Sequence, residues 1–252
     1  MGKARRPRFL CLHGFRTSGE IMRKQVVGKW PVEVTARLDL VFPDAPFPAE
    51  GKSDVEGFFD PPYYEWFQFH EARLLHFPFS RSHHACGFIM ECGNLDGCLA
   101  YVEELMIKQG PFDGLMGFSQ GSILSSALPG LQEHGLALTR VPKIKYLIII
   151  GGAEFRLPIV ADKAYAKKIK IPSLHFLGDK DFLKTRGEKL IESFVDPFII
   201  RHPKGHTVPR LLDEISLEVM SCFLGKMEKE IYKLSSVEAE VHVDADNKET
   251  CI

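Results

Sequence analysis

The sequence lacks an excess of charge of either sign, a long apolar segment and a paired-cysteine pattern. Its 32 basic and 33 acidic residues exclude a global field that would attract nucleic acid or anionic lipid. The apolar run at 146–150 is far shorter than the roughly 20 residues that span a membrane as a helix. Six cysteines in 252 residues, with no C-x-x-C, do not suggest a disulfide framework. We therefore expect a compact domain with neither a nucleic-acid partner nor a membrane span.

The two ends of the chain differ in composition from its middle. We expect residues 1–6 to be a flexible basic stretch, residues 7–228 a single domain, and the acidic residues 235–252 a disordered tail. Alternating Val and acidic residues make an edge strand the alternative for the tail. Because residues 1–6 lack the apolar stretch of a signal peptide, we expect a cytoplasmic location. The basic residues of 3–6 leave a weak nuclear signal as the alternative.

The most informative motif is Gly117-Phe118-Ser119-Gln120-Gly121. A short apolar segment that can form a buried strand precedes it, and a helical pattern follows it. G-x-S-x-G between a strand and a helix is a nucleophile elbow, in which small flanking residues permit a sharp turn that exposes the serine hydroxyl. An ordinary glycine turn is the alternative. The context favours Ser119 as a nucleophile.

A nucleophilic serine needs a base, and the base needs an acid that orients it, in the chain order serine, acid, histidine. Asp179 and Asp181 both follow a predicted strand that ends at Leu177. We favour Asp181 as the acid, because an Asp directly after Gly commonly only caps a turn. Asp196 is a weaker candidate, because it precedes a proline in a predicted turn.

Two histidines, His202 and His206, follow the last predicted strand. Gly205 permits a loop conformation that turns the next ring inward, whereas His202 precedes Pro203 and is expected to keep an extended backbone. We therefore favour His206 as the general base.

Acyl-transfer chemistry also needs backbone N–H groups that hold an oxyanion. One is expected from Gln120, directly after the nucleophile, and the other from the loop after an early strand. Leu12-His13-Gly14-Phe15 supplies such a loop, and we predict the N–H of Phe15 as the second donor. We expect His13 to orient this loop rather than to act as a second base.

Taken together, these motifs resemble the FSH family of small serine hydrolases, over roughly residues 6–226. The resemblance implies an α/β-hydrolase fold and esterase or thioesterase activity on short or medium acyl groups. It implies the nucleophile, acid and base at Ser119, Asp181 and His206.

The order of predicted elements indicates an α/β fold, a three-layer sandwich with a mostly parallel central sheet and helices on both faces. Strands are predicted at 9–12, 38–42, 112–117, 146–150, 173–177 and 198–201. Helices are predicted at 18–27, 95–109, 121–132, 184–194 and 208–227.

Residues 42–70 interrupt this order with nine aromatic residues and five prolines. Long loops in compact domains are commonly lids or disordered, and the aromatic content argues against disorder. We predict a lid or acyl-pocket wall, with Trp66 and Phe67 as the candidate substrate contacts. A loop packed on the domain without touching substrate is the alternative.

Cys86, Cys92 and Cys98 lie close in sequence to His83 and His84, but their spacing does not match zinc sites. We therefore expect no metal. Cys98 falls on the apolar face of a predicted helix, where packing explains it.

The predicted function is hydrolysis of a small-molecule ester or thioester, with no cofactor. Because a fold does not determine a function, a small-molecule binding protein or a slow-turnover receptor is the alternative. The sequence gives no indication of oligomeric state.

Overall fold

The computed structural model describes residues 5–72 and 89–249, and it describes side chains for residues 5–68 and 93–233. In chain order the elements are β1 (Arg8–Leu12), α1 (Gly19–Lys29), α2 (Val32–Thr35), β2 (Asp39–Val41), β3 (Phe47–Pro48), β4 (Tyr64–Glu65), β5 (Gln68–Ala72), β6 (Ile89–Gly93), α3 (Leu95–Gln109), β7 (Gly114–Phe118), α4 (Gln120–Glu133), β8 (Tyr146–Ile150), α5 (Pro158–Ala164), β9 (Ser173–Gly178), α6 (Lys184–Ile191), β10 (Phe198–His202) and α7 (Glu214–Glu249).

Six strands form one parallel sheet in the order β10-β9-β8-β7-β1-β2. β7 lies near the middle, where Gly114 pairs with Phe9 on one side and with Tyr146 on the other. Because all six strands run in the same direction, their carboxyl ends meet at one edge of the sheet. The segments after β1, β7, β8, β9 and β10 therefore converge there.

Side chains alternate between the two faces of the sheet and build two separate cores. On β1, Leu10 and Leu12 belong to the core that also contains residues of α3, α4 and α6. Phe9 and Cys11 point to the other face and belong to the core that also contains residues of α1 and α7. The predicted three-layer architecture is confirmed.

Several element boundaries differ from the sequence-based prediction. The short helices α2 and α5 are absent from the prediction, and α6 ends at Ile191 rather than at 194. α7 begins at Glu214 rather than at 208, because the carboxylate of Asp213 accepts a hydrogen bond from the N–H of Ser216 (2.8 Å) and caps the helix.

Near the two ends of the chain, the structure describes Arg5 and the helix α7. The bidentate pairing of Arg5 with Asp113 (2.6 and 2.8 Å) anchors the basic stretch at that residue. α7 continues to Glu249 and includes the described part of the acidic tail, residues 235–249. Across the described residues, no helix is long and apolar enough to cross a bilayer.

Candidate active site

Ser119 lies in the turn between β7 and α4 with an unusual backbone conformation, φ 54° and ψ −116°. The glycines on either side are sterically required. A Cβ on Gly121 would overlap the carbonyl of Leu12, and a Cβ on Gly117 would overlap the carbonyl of Gly121. A strained serine between two glycines at a strand–helix turn is the geometry of a nucleophile elbow.

The structure brings the three predicted residues of the site together in one hydrogen-bonded chain. The Oγ atom of Ser119 lies 2.8 Å from Nε2 of His206, and Nδ1 of His206 lies 2.8 Å from Oδ2 of Asp181. An ionised carboxylate can only accept, so the proton of the neutral imidazole stays on Nδ1 and Nε2 is free to accept from the serine hydroxyl. This arrangement can withdraw a proton from Ser119.

The environment of Asp181 keeps its carboxylate ionised. Burial alone would raise the pKa of Asp181, since its side chain is only 4% exposed. Hydrogen bonds from His206 and from the N–H of Leu183 (2.7 Å) outweigh that effect, and the pKa lies below its usual value. Both carboxylate oxygens are thereby fixed, and the carboxylate can orient the imidazole.

The rival candidates lie outside this chain of hydrogen bonds. The Asp179 side chain is half exposed and its carboxylate lies 3.8 Å from Nζ of Lys184. Asp196 is exposed in the turn before β10, with φ 45°. The ring of His202 is buried at the end of β10, and burial lowers its pKa.

His13 holds the loop that follows β1. Its Nε2 accepts from the N–H of Ala45 (3.0 Å), so Nδ1 carries the proton and donates to the carbonyl of Gly14 (2.8 Å). Burial lowers the pKa of His13 to about 4, and the ring is neutral near pH 7. Thr17 also donates to the carbonyl of Gly14 (2.8 Å). These bonds agree with the orienting role that the sequence predicts.

Two backbone N–H groups, those predicted to hold an oxyanion, are without a partner in the described structure. Within the described parts of the chain, the backbone N–H groups of Phe15 and Gln120 make no hydrogen bond to protein. Gln120 is the first residue of α4, where the helix dipole favours negative charge. Both groups are therefore free to act as the predicted oxyanion donors.

Trp66 and Phe67 occupy a different place from the predicted acyl-pocket wall. Both side chains are fully buried in the core, so neither exposes surface to a substrate in this structure. The ring of Phe67 packs against Phe155 at 5.0 Å between centroids, and Trp66 packs against His13 at 5.1 Å. Their large apolar area favours burial beneath the site over a position at its mouth.

The segment that contains these residues is fastened to the loop after β1. β3 pairs with β4, and the N–H of Tyr64 donates to the carbonyl of Thr17 (2.7 Å). Arg16 donates to the buried carboxylate of Glu65 (2.7 Å) and to the carbonyl of Lys52 (3.1 Å). These hydrogen bonds therefore hold the described part of 42–70 against the loop after β1.

Two residues at the site were missed by the sequence analysis. The ring of Phe182 lies 4.5 Å from the ring of His206, yet its side chain is 77% exposed. Gly151 follows β8 with φ 57°, and a Cβ there would lie 3.0 Å from the His206 ring and 3.2 Å from the Asp181 carboxylate. A glycine directly after a buried strand was the available signal for Gly151, whereas nothing in the sequence singles out Phe182.

We expect Gly151→Ala to lower kcat by about tenfold to a hundredfold, because the added methyl group displaces the imidazole from Ser119. Gly135→Ala is the matched control, since Gly135 also has a positive φ (68°) but has open space around its Cβ position. Both variants carry the same kind of backbone strain, so their melting temperatures should fall similarly. Equal kcat values for the two variants would contradict the inference that the absence of a side chain at Gly151 lets the His206 ring reach Ser119.

The cysteine and histidine cluster considered for a metal is only partly described. Cys98 is buried in the apolar core on α3. His83, His84 and Cys86 lie outside the described residues, as does the side chain of Cys92. Among the residues that are described, no three His, Cys, Asp or Glu side chains are grouped so that they could hold a metal ion.

The sequence matches a known family over most of its length. The profile of the family described as Serine hydrolase (FSH1) matches residues 3–216. Human Esterase OVCA2 is 31% identical over 220 residues, which cover 82% of this chain and 91% of the human protein. Esterase AGAP003155 of Anopheles gambiae is 30% identical over 203 residues, which cover 79% of this chain and 71% of that protein.

A Schizosaccharomyces pombe protein named Dihydrofolate reductase is 27% identical over 218 residues. The match covers 80% of this chain but only 43% of the S. pombe protein, so that name describes a longer molecule.

Solved structures show the same fold. The hypothetical protein PA1622 from Pseudomonas aeruginosa has a TM-score of 0.50 at 13% identity, with 90% of this chain and 93% of that chain covered. The thioesterase domain from the curacin biosynthetic pathway also has a TM-score of 0.50 at 13% identity, with 89% and 93% covered. The family match and the parallel sheet lead to one conclusion: the chain belongs to the FSH1 family of serine hydrolases and has the α/β-hydrolase fold.

Proposed function

We propose that the chain hydrolyses carboxylic esters or thioesters of small acyl substrates through an acyl-enzyme intermediate on Ser119. The observation that carries this proposal is the continuous hydrogen-bonded chain from Ser119 through His206 to Asp181, with 2.8 Å at each step. The esterase names of the human and mosquito relatives support ester hydrolysis.

In the first half-reaction, Ser119 Oγ attacks the acyl carbonyl while Nε2 of His206 takes the hydroxyl proton. The negative charge that develops on the carbonyl oxygen is held by the N–H groups of Phe15 and Gln120. Asp181 stabilises the imidazolium. The intermediate collapses, and His206 returns its proton to the departing alcohol or thiol.

In the second half-reaction, His206 takes a proton from water, whose oxygen attacks the acyl-enzyme carbonyl. Collapse of this second tetrahedral intermediate breaks the bond to Ser119 Oγ, and His206 protonates that oxygen. The carboxylic acid leaves and the enzyme returns to its starting state. Each step uses only residues of this chain and water.

The experiment that tests the proposal is a stopped-flow assay with acetyl and butyryl esters and the matching thioesters. An acyl-enzyme predicts a burst of alcohol or thiol equal to the enzyme concentration before steady turnover, when deacylation is slower than acylation. A slow-turnover receptor predicts a burst followed by almost no turnover. Absence of release from all four substrates would contradict the proposal.

The acyl or leaving group needs an apolar surface, and Phe182 is the exposed aromatic side chain that contacts the general base. Its ring lies 4.5 Å from His206 and faces solvent over most of its area. An apolar substrate group that covers this ring would remove it from water and stabilise the bound state. We therefore propose Phe182 as a substrate contact in place of Trp66 and Phe67.

We expect Phe182→Ala to raise KM for an octanoyl ester by about tenfold, the equivalent of ~1.4 kcal/mol of lost burial, and to change KM for an acetyl ester much less. Phe58→Ala is the comparison, because Phe58 is 86% exposed within the segment predicted to be a lid. Its KM values should stay within about twofold of the unaltered enzyme, a change of ~0.4 kcal/mol against the ~1.5 kcal/mol or more of a fully buried side chain. A larger effect from Phe58 than from Phe182 would return the substrate contact to the 42–70 segment.

A further inference from the structure

The residues that carry the two oxyanion N–H groups belong to different segments of the chain. Phe15 follows β1, and Gln120 begins α4. A transition-state oxyanion needs both donors at about 2.7–3.1 Å at once, so the distance between these two segments must be fixed. The contacts of Trp66 bear directly on that separation.

At the start of α4, the side-chain carboxamide of Gln120 forms hydrogen bonds through both its oxygen and its nitrogen to the backbone of residues 66–67. Its Oε1 accepts from the N–H of Trp66 (3.0 Å), and its Nε2 donates to the carbonyl of Phe67 (2.7 Å). The side chain is only 3% exposed, so water does not compete for these bonds. Gln120, the residue after the nucleophile, is thus held by hydrogen bonds to the backbone of Trp66 and Phe67.

On the β1 side, the indole Nε1–H of Trp66 donates to the carbonyl of His13 (2.9 Å). The same carbonyl accepts from the N–H of Gly121 (3.1 Å). His13 lies two residues before Phe15, and its ring packs against the indole. Trp66 therefore contacts both segments: its backbone N–H bonds to Gln120 at the start of α4, and its ring nitrogen bonds to His13 after β1.

We propose that Trp66 and the Gln120 carboxamide form an oxyanion bracket, which sets the spacing between the N–H groups of Phe15 and Gln120. The inference rests on the proposed function. Trp66 is then a positioning residue that never touches substrate, and the side chain of Gln120 has a positioning role separate from that of its backbone N–H.

The test is the affinity for an alkyl trifluoromethyl ketone. Ser119 Oγ adds to the ketone carbon, and its proton passes to His206. The π electrons of the carbonyl move to its oxygen, which becomes an oxyanion held by the N–H groups of Phe15 and Gln120. Removing one oxyanion donor costs about a hundredfold to a thousandfold, and a displaced donor costs part of that. We expect Trp66→Phe and Gln120→Met each to weaken ketone binding by about tenfold to a hundredfold, with a smaller change in ester KM.

Trp30→Phe is the matched control. Trp30 is also buried and stacks on Phe176, but its indole nitrogen has no hydrogen-bond partner among the described residues. This variant should have a lower melting temperature and an unchanged affinity for the ketone. In the double variant of Trp66 and Gln120, ketone binding should weaken by less than the product of the two single fold-changes, because both substitutions disrupt the same bracket.

Unchanged ketone affinity in Trp66→Phe, or an equal loss in Trp30→Phe, would overturn the bracket and leave the proposed function standing. If Trp66→Phe does not fold, unchanged affinity in Gln120→Met overturns it in the same way. Failure of the unaltered protein to bind the ketone would overturn the proposed function, and the bracket with it.

Discussion

Replacing Ser119 by alanine is expected to lower ester turnover by about a million-fold, the scale measured when the nucleophile of a comparable triad is removed. The backbone of the elbow should persist, because an alanine side chain keeps the Cβ of the serine and the flanking glycines are unchanged. The measurement is kcat for an acetyl ester together with the melting temperature.

Ser122→Ala is a control for the serine substitution. The Ser122 hydroxyl donates a hydrogen bond to the carbonyl of Ser119 (2.7 Å). Among the described residues, His206 bonds to the hydroxyl of Ser119 and not to that of Ser122. Losing one such bond costs on the order of 1 kcal/mol of stability, so turnover should fall by less than about tenfold. Residual activity in Ser119→Ala above about a hundredth of the starting value would contradict the nucleophile assignment, given the expected million-fold loss.

The second large effect is expected at the base and the acid. His206→Ala removes the proton acceptor and Asp181→Asn loses control of the imidazole tautomer, so each should lower kcat by about a thousand-fold or more. His202→Ala and Asp179→Asn should each cost about tenfold or less, equivalent to ~1.4 kcal/mol. The four kcat values, measured with one ester, rank the candidates.

A larger loss for His202→Ala than for His206→Ala would move the base to the end of β10. A larger loss for Asp179→Asn than for Asp181→Asn would likewise reassign the acid. Because His202 is buried, its variant must be compared per folded molecule, with circular dichroism reporting the folded fraction.

Local patterns were sufficient to predict the sheet and the elbow. The run Tyr146–Ile150 is a strand with the predicted bounds, because a continuous apolar, β-branched segment suits a strand buried on both faces. Leu95–Gln109 is a helix with the predicted bounds, because its apolar residues recur on one face. The glycines around Ser119 signalled a close approach of backbone, which the overlap with Leu12 explains.

Contacts between distant segments could not be predicted in the same way. The aromatic character of Trp66 indicates burial, but nothing in the sequence tells that its indole reaches His13 or that Gln120 reaches its backbone. Those contacts depend on how 42–70 folds over the sheet. α5 was missed for a related reason: a helix of 7 residues is too short for a clear periodic pattern and is held by its packing on α4.

The most direct test of the central claim is covalent labelling with a fluorophosphonate, followed by peptide mapping with mass spectrometry. The label should attach to the peptide that contains Ser119, at one equivalent per chain, and labelling should slow greatly in His206→Ala because the base no longer activates the hydroxyl. Labelling at another residue, or none in the folded protein, would contradict the assignment of Ser119, His206 and Asp181 as a hydrolytic triad.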